Sequence, residues 1–280
     1  VWDFDSTDLM LEADPEDEGF WEEGSNLVLN GDYEELGSNL VTNGTFETDS
    51  NWTTTTGWTI SGGTAICDGS QSANTTLVQQ NGIKSVTLNI VNGKTYEVTF
   101  DVVVQAGVIT NVEVASGVDG TNISSSGTYT RTITASSTNG RLTFTANPDF
   151  IGSIDNVTLK QVDPNDRWNL GVFGAWSIED GKAVCDGSQS GNADLTHNNL
   201  ATEKGVQYEI TYTISNYSAG TIKARLSSGN TTAEQSSNGT FTEIITAAAT
   251  GGFRLRGSLT FVGSVDNVTV REYAVQPKDI

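Results

Sequence analysis

The chain has 280 residues, of which 36% are hydrophobic, with 30 glycines, two cysteines and a formal net charge of −21. That length holds about two domains, each able to bury a core, and the acid excess would repel phosphate backbones, which excludes nucleic acid as a partner. No apolar run approaches the ~20 residues needed to cross a bilayer, and the opening residues lack the basic and apolar parts of a signal peptide, so no membrane insertion is expected.

The first predicted element is an acidic arm, residues 1–37, which carries 13 acids and no base; the first cation is Lys84. Two readings stay open. Strong net charge opposes collapse and favours a solvated arm, whereas Trp2, Phe4, Phe20 and Trp21 would serve as anchors if the arm folds onto a partner. Inside it NLVLNGDYEELG from Asn26 echoes NLVTNGTFETDS from Asn39, thirteen residues later, and reads as a decayed or duplicated domain start.

Residues 38–162 and 163–274 then form two copies of one domain, followed by a tail, residues 275–280. AICDGSQS from Ala65 returns as AVCDGSQS from Ala183, GKTYEVTF from Gly93 as GVQYEITY from Gly205, and GSIDNVTLK from Gly152 as GSVDNVTVR from Gly263. The repeat is too long for a solenoid unit and matches a sandwich of ~100 residues. Period-two alternation in Tyr96–Val102 and Tyr208–Ile214 predicts half-buried antiparallel strands. Further β-rich runs follow at Val108–Ala115, Thr128–Ala135, Arg141–Thr145 and Ser153–Val162, with counterparts at Thr221–Leu226, Gly239–Thr246 and Phe253–Arg271. No window shows convincing helical periodicity. The expected fold is all-β: two tandem sandwiches behind an extended acidic N-terminal arm.

The order NLVTNGTFE, GWTI, GKTYEVTF and a closing GSIDNVTL resembles the jelly-roll carbohydrate-binding modules of families 4, 9 and 22, over about residues 38–162. In the second copy the opening NGxFE element is missing and DRWNLGVFGAW stands in its place. The Thr- and Asn-rich style also resembles modules of tail-fibre, head-fibre and decoration proteins of tailed bacteriophages. The resemblance implies a structural calcium between first and last strands, with Glu47, Asp155 and Asn43 as ligands in the first copy; only Asp266 would remain in the second.

Duplication supplies an internal control, because a residue kept in both copies answers to the shared fold. Cys67 and Cys185 match and read as small buried apolar groups. Trp58 and Trp176, Tyr96 and Tyr208, Phe100 and Tyr212, Tyr129 and Phe241, and Phe150 and Phe261 also match and are assigned to the core. Trp52, Trp168 and Tyr217 lack evident counterparts, which makes them candidates for stacking on sugar rings, since an aromatic face pairs with the apolar face of a pyranose. His197, the only histidine, reads as a surface-loop residue in HNN. No GxSxG, HExxH or Cys/His cluster accompanies it, so no catalytic residue is assigned and the protein is expected not to be an enzyme.

These readings point to a non-enzymatic virion structural protein of a tailed bacteriophage, of capsid-decoration, head-fibre or tail-fibre type. Its arm would dock on other virion proteins and its two modules would adhere weakly to host surface polysaccharide. The alternative is a tandem carbohydrate-binding fragment of a secreted bacterial polysaccharide-degrading enzyme, which would be extracellular; a self-assembling adhesion protein is a third reading. No heptad supports a coiled-coil trimer, and the sequence leaves homo-oligomerisation open.

Overall fold

The structure, a computed structural model, describes residues 24–227 and 229–273; Trp2, Phe4, Phe20 and Trp21 of the expected docking arm lie outside the described residues. The described residues hold strands, turns and loops and no helix.

The first sandwich contains β1 (Thr53–Thr54), β2 (Trp58–Ser61), β3 (Thr64–Asp68), β4 (Thr75–Gln80), β5 (Thr95–Ala106), β6 (Ile109–Val114), β7 (Gly117–Asp119), β8 (Gly127–Thr134), β9 (Arg141–Ala146) and β10 (Ile151–Gln161). They build two antiparallel sheets, ordered β1-β4-β9-β6-β7 and β2-β3-β10-β5-β8. The second contains β11 (Trp168–Asn169), β12 (Trp176–Glu179), β13 (Lys182–Cys185), β14 (Ala193–Thr202), β15 (Gln207–Ala219), β16 (Ile222–Leu226), β17 (Gly239–Thr246), β18 (Gly251–Gly257) and β19 (Val262–Glu272). Its sheets run β11-β14-β18-β16 and β12-β13-β19-β15-β17. The chain repeatedly crosses from one sheet to the other, so each pair of layers is a jelly-roll sandwich with a core of its own.

Alternation explains the layers. In β5 the side chains of Tyr96, Val98, Phe100 and Val102 are buried, while Glu97, Thr99 and Asp101 between them face outward. On the outer face threonines pair across strands, Thr99 with Thr130 (3.3 Å) and Thr211 with Thr242 (2.9 Å).

The expected boundary at residue 37 is corrected. Residues 26–36 are not arm; they are the opening element of the second sandwich. Asn39 Oδ1 accepts hydrogen bonds from the Val41 and Leu159 amides (3.1 and 3.0 Å), and Asn26 Oδ1 accepts from the Val28 and Val270 amides (3.1 and 3.0 Å). Leu40 N–H donates to Leu159 O and Leu27 N–H to Val270 O, both at 2.8 Å. Gly44 and Gly31 then pass so close to the closing strand that a Cβ on either would lie 2.0 Å from Val157 O or 2.1 Å from Val268 O. Glycine is the residue that fits such an approach. The opening element missing downstream of residue 162 is therefore the NLVLNGDYE echo upstream, and the first sandwich is inserted into the second.

Two chain segments join the sandwiches side by side. Gly37 N–H donates to Gln161 O (2.8 Å), Leu36 bridges Val162, and Asp163 N–H donates to Glu35 O (2.9 Å). Lys94 and Asp166 form an ion pair across the same junction. At its other end the opening element meets the closing strand again: Asn26 bridges Arg271, so the two ends of the described chain lie together on the second sandwich.

Candidate functional site

The three expected sugar-stacking aromatics do not form a surface. Trp52 is 0% and Trp168 5% exposed, and they are counterparts. Trp52 Nε1 donates to Asn43 O (2.9 Å) with the ring on Phe46, and Trp168 Nε1 donates to Asn30 O (2.8 Å) with the ring on Tyr33. Each indole locks an opening element into its core, so the expectation of exposed rings at both positions is corrected. Tyr217 is half-buried against the second core and its hydroxyl donates to Gly220 O (3.0 Å).

The calcium ligands expected from the resemblance do not fit a metal. Asn43 donates its amide to the carbonyls of Thr48 and Ser50 (2.7 and 3.0 Å), its own carbonyl is taken by Trp52, and Asp155 Oδ1 accepts from the Asn156 amide (2.7 Å). Glu47 is exposed. Among the described residues no group of three or more His, Cys, Asp or Glu is placed to hold a metal ion. The tie between first and last strands, for which calcium was expected, is made by the Asn39 and Asn26 amides.

His197 is corrected too. It lies on β14, buried, edge-on to Trp168 at 4.9 Å, with Nε2 3.2 Å from Leu29 N and 3.0 Å from Leu29 O. Burial lowers its pKa. Its counterpart is Gln79, whose amide accepts from Thr42 N–H (3.1 Å) and donates to Thr42 O (2.7 Å). Cys67 and Cys185 are buried as expected, and burial pushes both thiols up.

With these residues assigned to the fold, the difference between copies concentrates on one outer face of the second sandwich. On β16, Lys223 and Arg225 alternate outward; on β18, Arg254 and Arg256 do the same. Register places Lys223 opposite Arg256 and Arg225 opposite Arg254. The corresponding pairs in the first sandwich are Asn111 opposite Thr145 and Glu113 opposite Thr143. Asp194 on β14 holds Arg256 through two hydrogen bonds (2.6 and 2.8 Å) and approaches Arg254 at 3.6 Å, and Glu234 takes Lys223 at 2.7 Å. The Asp194 carboxylate raises the Arg256 pKa.

A groove of about 360 Å³ opens beside this patch, lined by Thr196, Ser227, Thr250, Gly251, Gly252 and Arg254 among others. Within it Gly252 occupies the position that Arg141 holds in the first sandwich. Both carbonyls at that place accept a matching bond, Ala115 N–H to Arg141 O and Ser227 N–H to Gly252 O, each 2.7 Å. In the first sandwich Arg141 stands at that position and its Nε donates to Thr143 Oγ1 (2.8 Å). In the second, Arg254 Nη2 reaches Ser227 O (3.3 Å), while Arg254 Nε and Ser227 Oγ are shielded from solvent without a hydrogen-bond partner. Such groups are costly to leave unsatisfied. The period-two cations of IKARL and FRLRG, against TNVEV and LTFTA, were the legible sign of this site.

No protein-family model matches the chain, and no curated protein matches it. Among solved structures, the chain is similar to the N-terminal tandem of two family 22 carbohydrate-binding modules from Paenibacillus barcinonensis, at 12% identity over 84% of this chain and 98% of that one, with a TM-score of 0.34. It is also similar to allantoicase from Saccharomyces cerevisiae, at 10% identity over 72% of this chain and 78% of that one, with a TM-score of 0.27. The architecture stands on the strand order above.

Proposed function

We propose that this chain is a non-enzymatic adhesion and display protein of a tailed-bacteriophage particle, attached through residues 1–23 and holding surface glycan in the groove of its second sandwich. The observation that carries the reading is the groove itself: four outward cations, an unpartnered hydroxyl and a paired glycine stand where the other copy has threonines, a glutamate and an arginine. Departures of this kind from a shared blueprint cost the fold something and so call for a role outside it. The attachment half is supported by composition. Residues 1–23 carry ten acids and no base and lead directly into the point where both ends of the described chain meet.

Two measurements test the two halves. Gly252→Arg places the first copy's side chain in the groove at a backbone position that tolerates it, since a Cβ there meets only Leu200 O at 3.5 Å. Retention on surface polysaccharide should be lost with both sandwiches still folded; unchanged retention overturns the groove. Removing residues 1–23 should abolish incorporation into particles while leaving glycan retention intact. Normal incorporation would defeat the attachment role and favour the secreted carbohydrate-binding fragment.

A further inference from the structure

The junction between the sandwiches holds a second site, independent of the groove. We infer that the cleft walled by Glu34, Glu97 and Asp180 binds a small aliphatic polyamine, with ammonium groups on its carboxylates and methylenes on its apolar floor. The cleft has a volume of about 290 Å³, near the lower limit for a small-molecule site, and such sites favour domain interfaces. Each carboxylate arrives on a different element: Glu34 on the opening element, Glu97 on β5 of the first sandwich and Asp180 on the turn between β12 and β13. Leu36, Val162 and Ile178 supply the apolar part of the lining. Against the other copy, the cleft is the more polar place. Thr132 lies opposite Glu97 in the register, where the second copy has exposed Ile244 opposite Glu209. Asp180 stands in the hairpin turn where the first copy has Gly62, and Tyr33 stands where it has Phe46. A face that only joined two domains would gain from apolar side chains at these places, because burial of apolar area drives such contacts. Instead the side chain that carries a polar group is at the junction in all three pairs.

The acids are also without a counter-ion. Among the described residues none of the three makes an ion pair, and Lys160, opposite Glu97 on β10, neither pairs with it nor lines the cleft. Glu34 lies against the Asp180 turn, since a Cβ on Gly181 would be 3.1 Å from Glu34 Cγ, so two like charges share one rim. Tyr33, 1% exposed, lines the same cleft, and its hydroxyl is shielded from water without a hydrogen-bond partner, which an ammonium donor would supply. Among the described residues no three acids are placed to hold a metal ion, so the carboxylates suit a cation that extends from one to another. A polyamine does this, laying its methylenes along apolar surface and making charge-assisted hydrogen bonds at its nitrogens.

The test is isothermal titration calorimetry of the full chain with spermidine, magnesium chloride and an acetylated trilysine peptide, at about 50 and about 300 mM salt. Spermidine should bind at one saturable site and weaken several-fold at the higher salt. Glu97→Gln and Asp180→Gly should each weaken it about tenfold, the loss of one charge-assisted hydrogen bond. Glu209→Gln, the same change at the equivalent position outside the cleft, should leave it unaltered. Asp180 has a φ of 50° and Gly62 one of 62°, so glycine takes over the turn without strain and the melting temperatures should hold. Lost binding then cannot be ascribed to misfolding. Equal weakening by Glu209→Gln would reduce the effect to the net charge of the chain and overturn the site. Magnesium binding at the same affinity as spermidine, or no spermidine binding, overturns it too. Binding of the peptide alone would give the cleft to a protein partner and overturn the small-ligand assignment.

Discussion

The first sandwich completes itself within one stretch of chain, whereas the second begins at Asn26, waits while the whole first sandwich is built, and resumes at Asp163. The two use the same clasp: an asparagine bridging opening and closing strands, a glycine pressed onto the closing carbonyl, an indole donating to the next asparagine's carbonyl. What differs is the sequence distance over which it closes. Loop-closure entropy rises only slowly with length, and pairing of Gly37 with Gln161 in the finished first sandwich brings Glu35 beside Asp163. The inserted copy thereby shortens the loop that its host must close.

The sharpest way to break the comparison is truncation. Removing residues 1–23 should leave two folded sandwiches. Removing residues 1–36 should unfold the second alone, because it takes away buried Val28 and Tyr33 and the acceptor of Trp168, a loss comparable to the ~5–15 kcal/mol that holds a domain together. Hydrogen exchange would show protection lost in β11–β19 and kept in β1–β10. Conversely, residues 24–36 joined by an Asn-Gly turn to residues 163–273 should fold without the first sandwich, since a two-residue turn suits antiparallel partners already in register.

Next in size are the indoles. If Trp52 and Trp168 do equivalent work, Trp52→Ala and Trp168→Ala should each cost about 3–5 kcal/mol in their own sandwich and leave glycan retention unchanged in whatever folded protein remains. Two-transition calorimetry would read both. A loss of retention without a loss of stability at Trp52 would restore its role as a binding residue. Smaller again are the clasp amides: Asn39→Ala or Asn26→Ala strands two main-chain donors and should cost about 1–3 kcal/mol, while a calcium chelator should leave both transitions in place.

The strands and the two-copy plan were legible because period-two alternation is a local property, kept where one face must be buried. Nesting was not, because Asn26 and Val270 meet only through the fold, and the echo in NLVLNGDYE carries no sign of which copy it completes. The internal control failed at Trp52 and Trp168 for the same reason. They match once each is seen beside its own opening element, and the intervening turns, TTTT in one copy and LGVF in the other, hide the alignment. The groove is the opposite case: alternating cations in IKARL and FRLRG were visible, but only strand register shows them opposite one another.

The smallest expected effect isolates one hydrogen bond. Gln79 has separate donor and acceptor atoms and satisfies both polar groups of Thr42, whereas His197 presents the single Nε2 to both polar groups of Leu29 and leaves Nδ1 buried without a partner. Whichever tautomer forms, one main-chain group of Leu29 goes without it. His197→Gln should therefore be neutral or stabilising at neutral pH, by up to about 1 kcal/mol. Acid separates the two more clearly. Burial, the largest influence on His197, lowers its folded pKa below the ordinary value of 6.5, against smaller opposing effects of the Leu29 backbone and Asp163. The unfolded chain then binds a proton that the folded chain refuses, so the second sandwich keeps its full stability above about pH 6.5 and loses some as pH falls from there toward the folded pKa, below which the loss levels off. Thermal melts across that window should show the second transition sliding down relative to that of His197→Gln, with the first transition, which contains no histidine, moving alike in both proteins. A second transition that tracks its variant through the whole window would mean that His197 takes its proton as readily folded as unfolded, and that the exchange of glutamine for histidine between copies has no consequence for how the opening element is held.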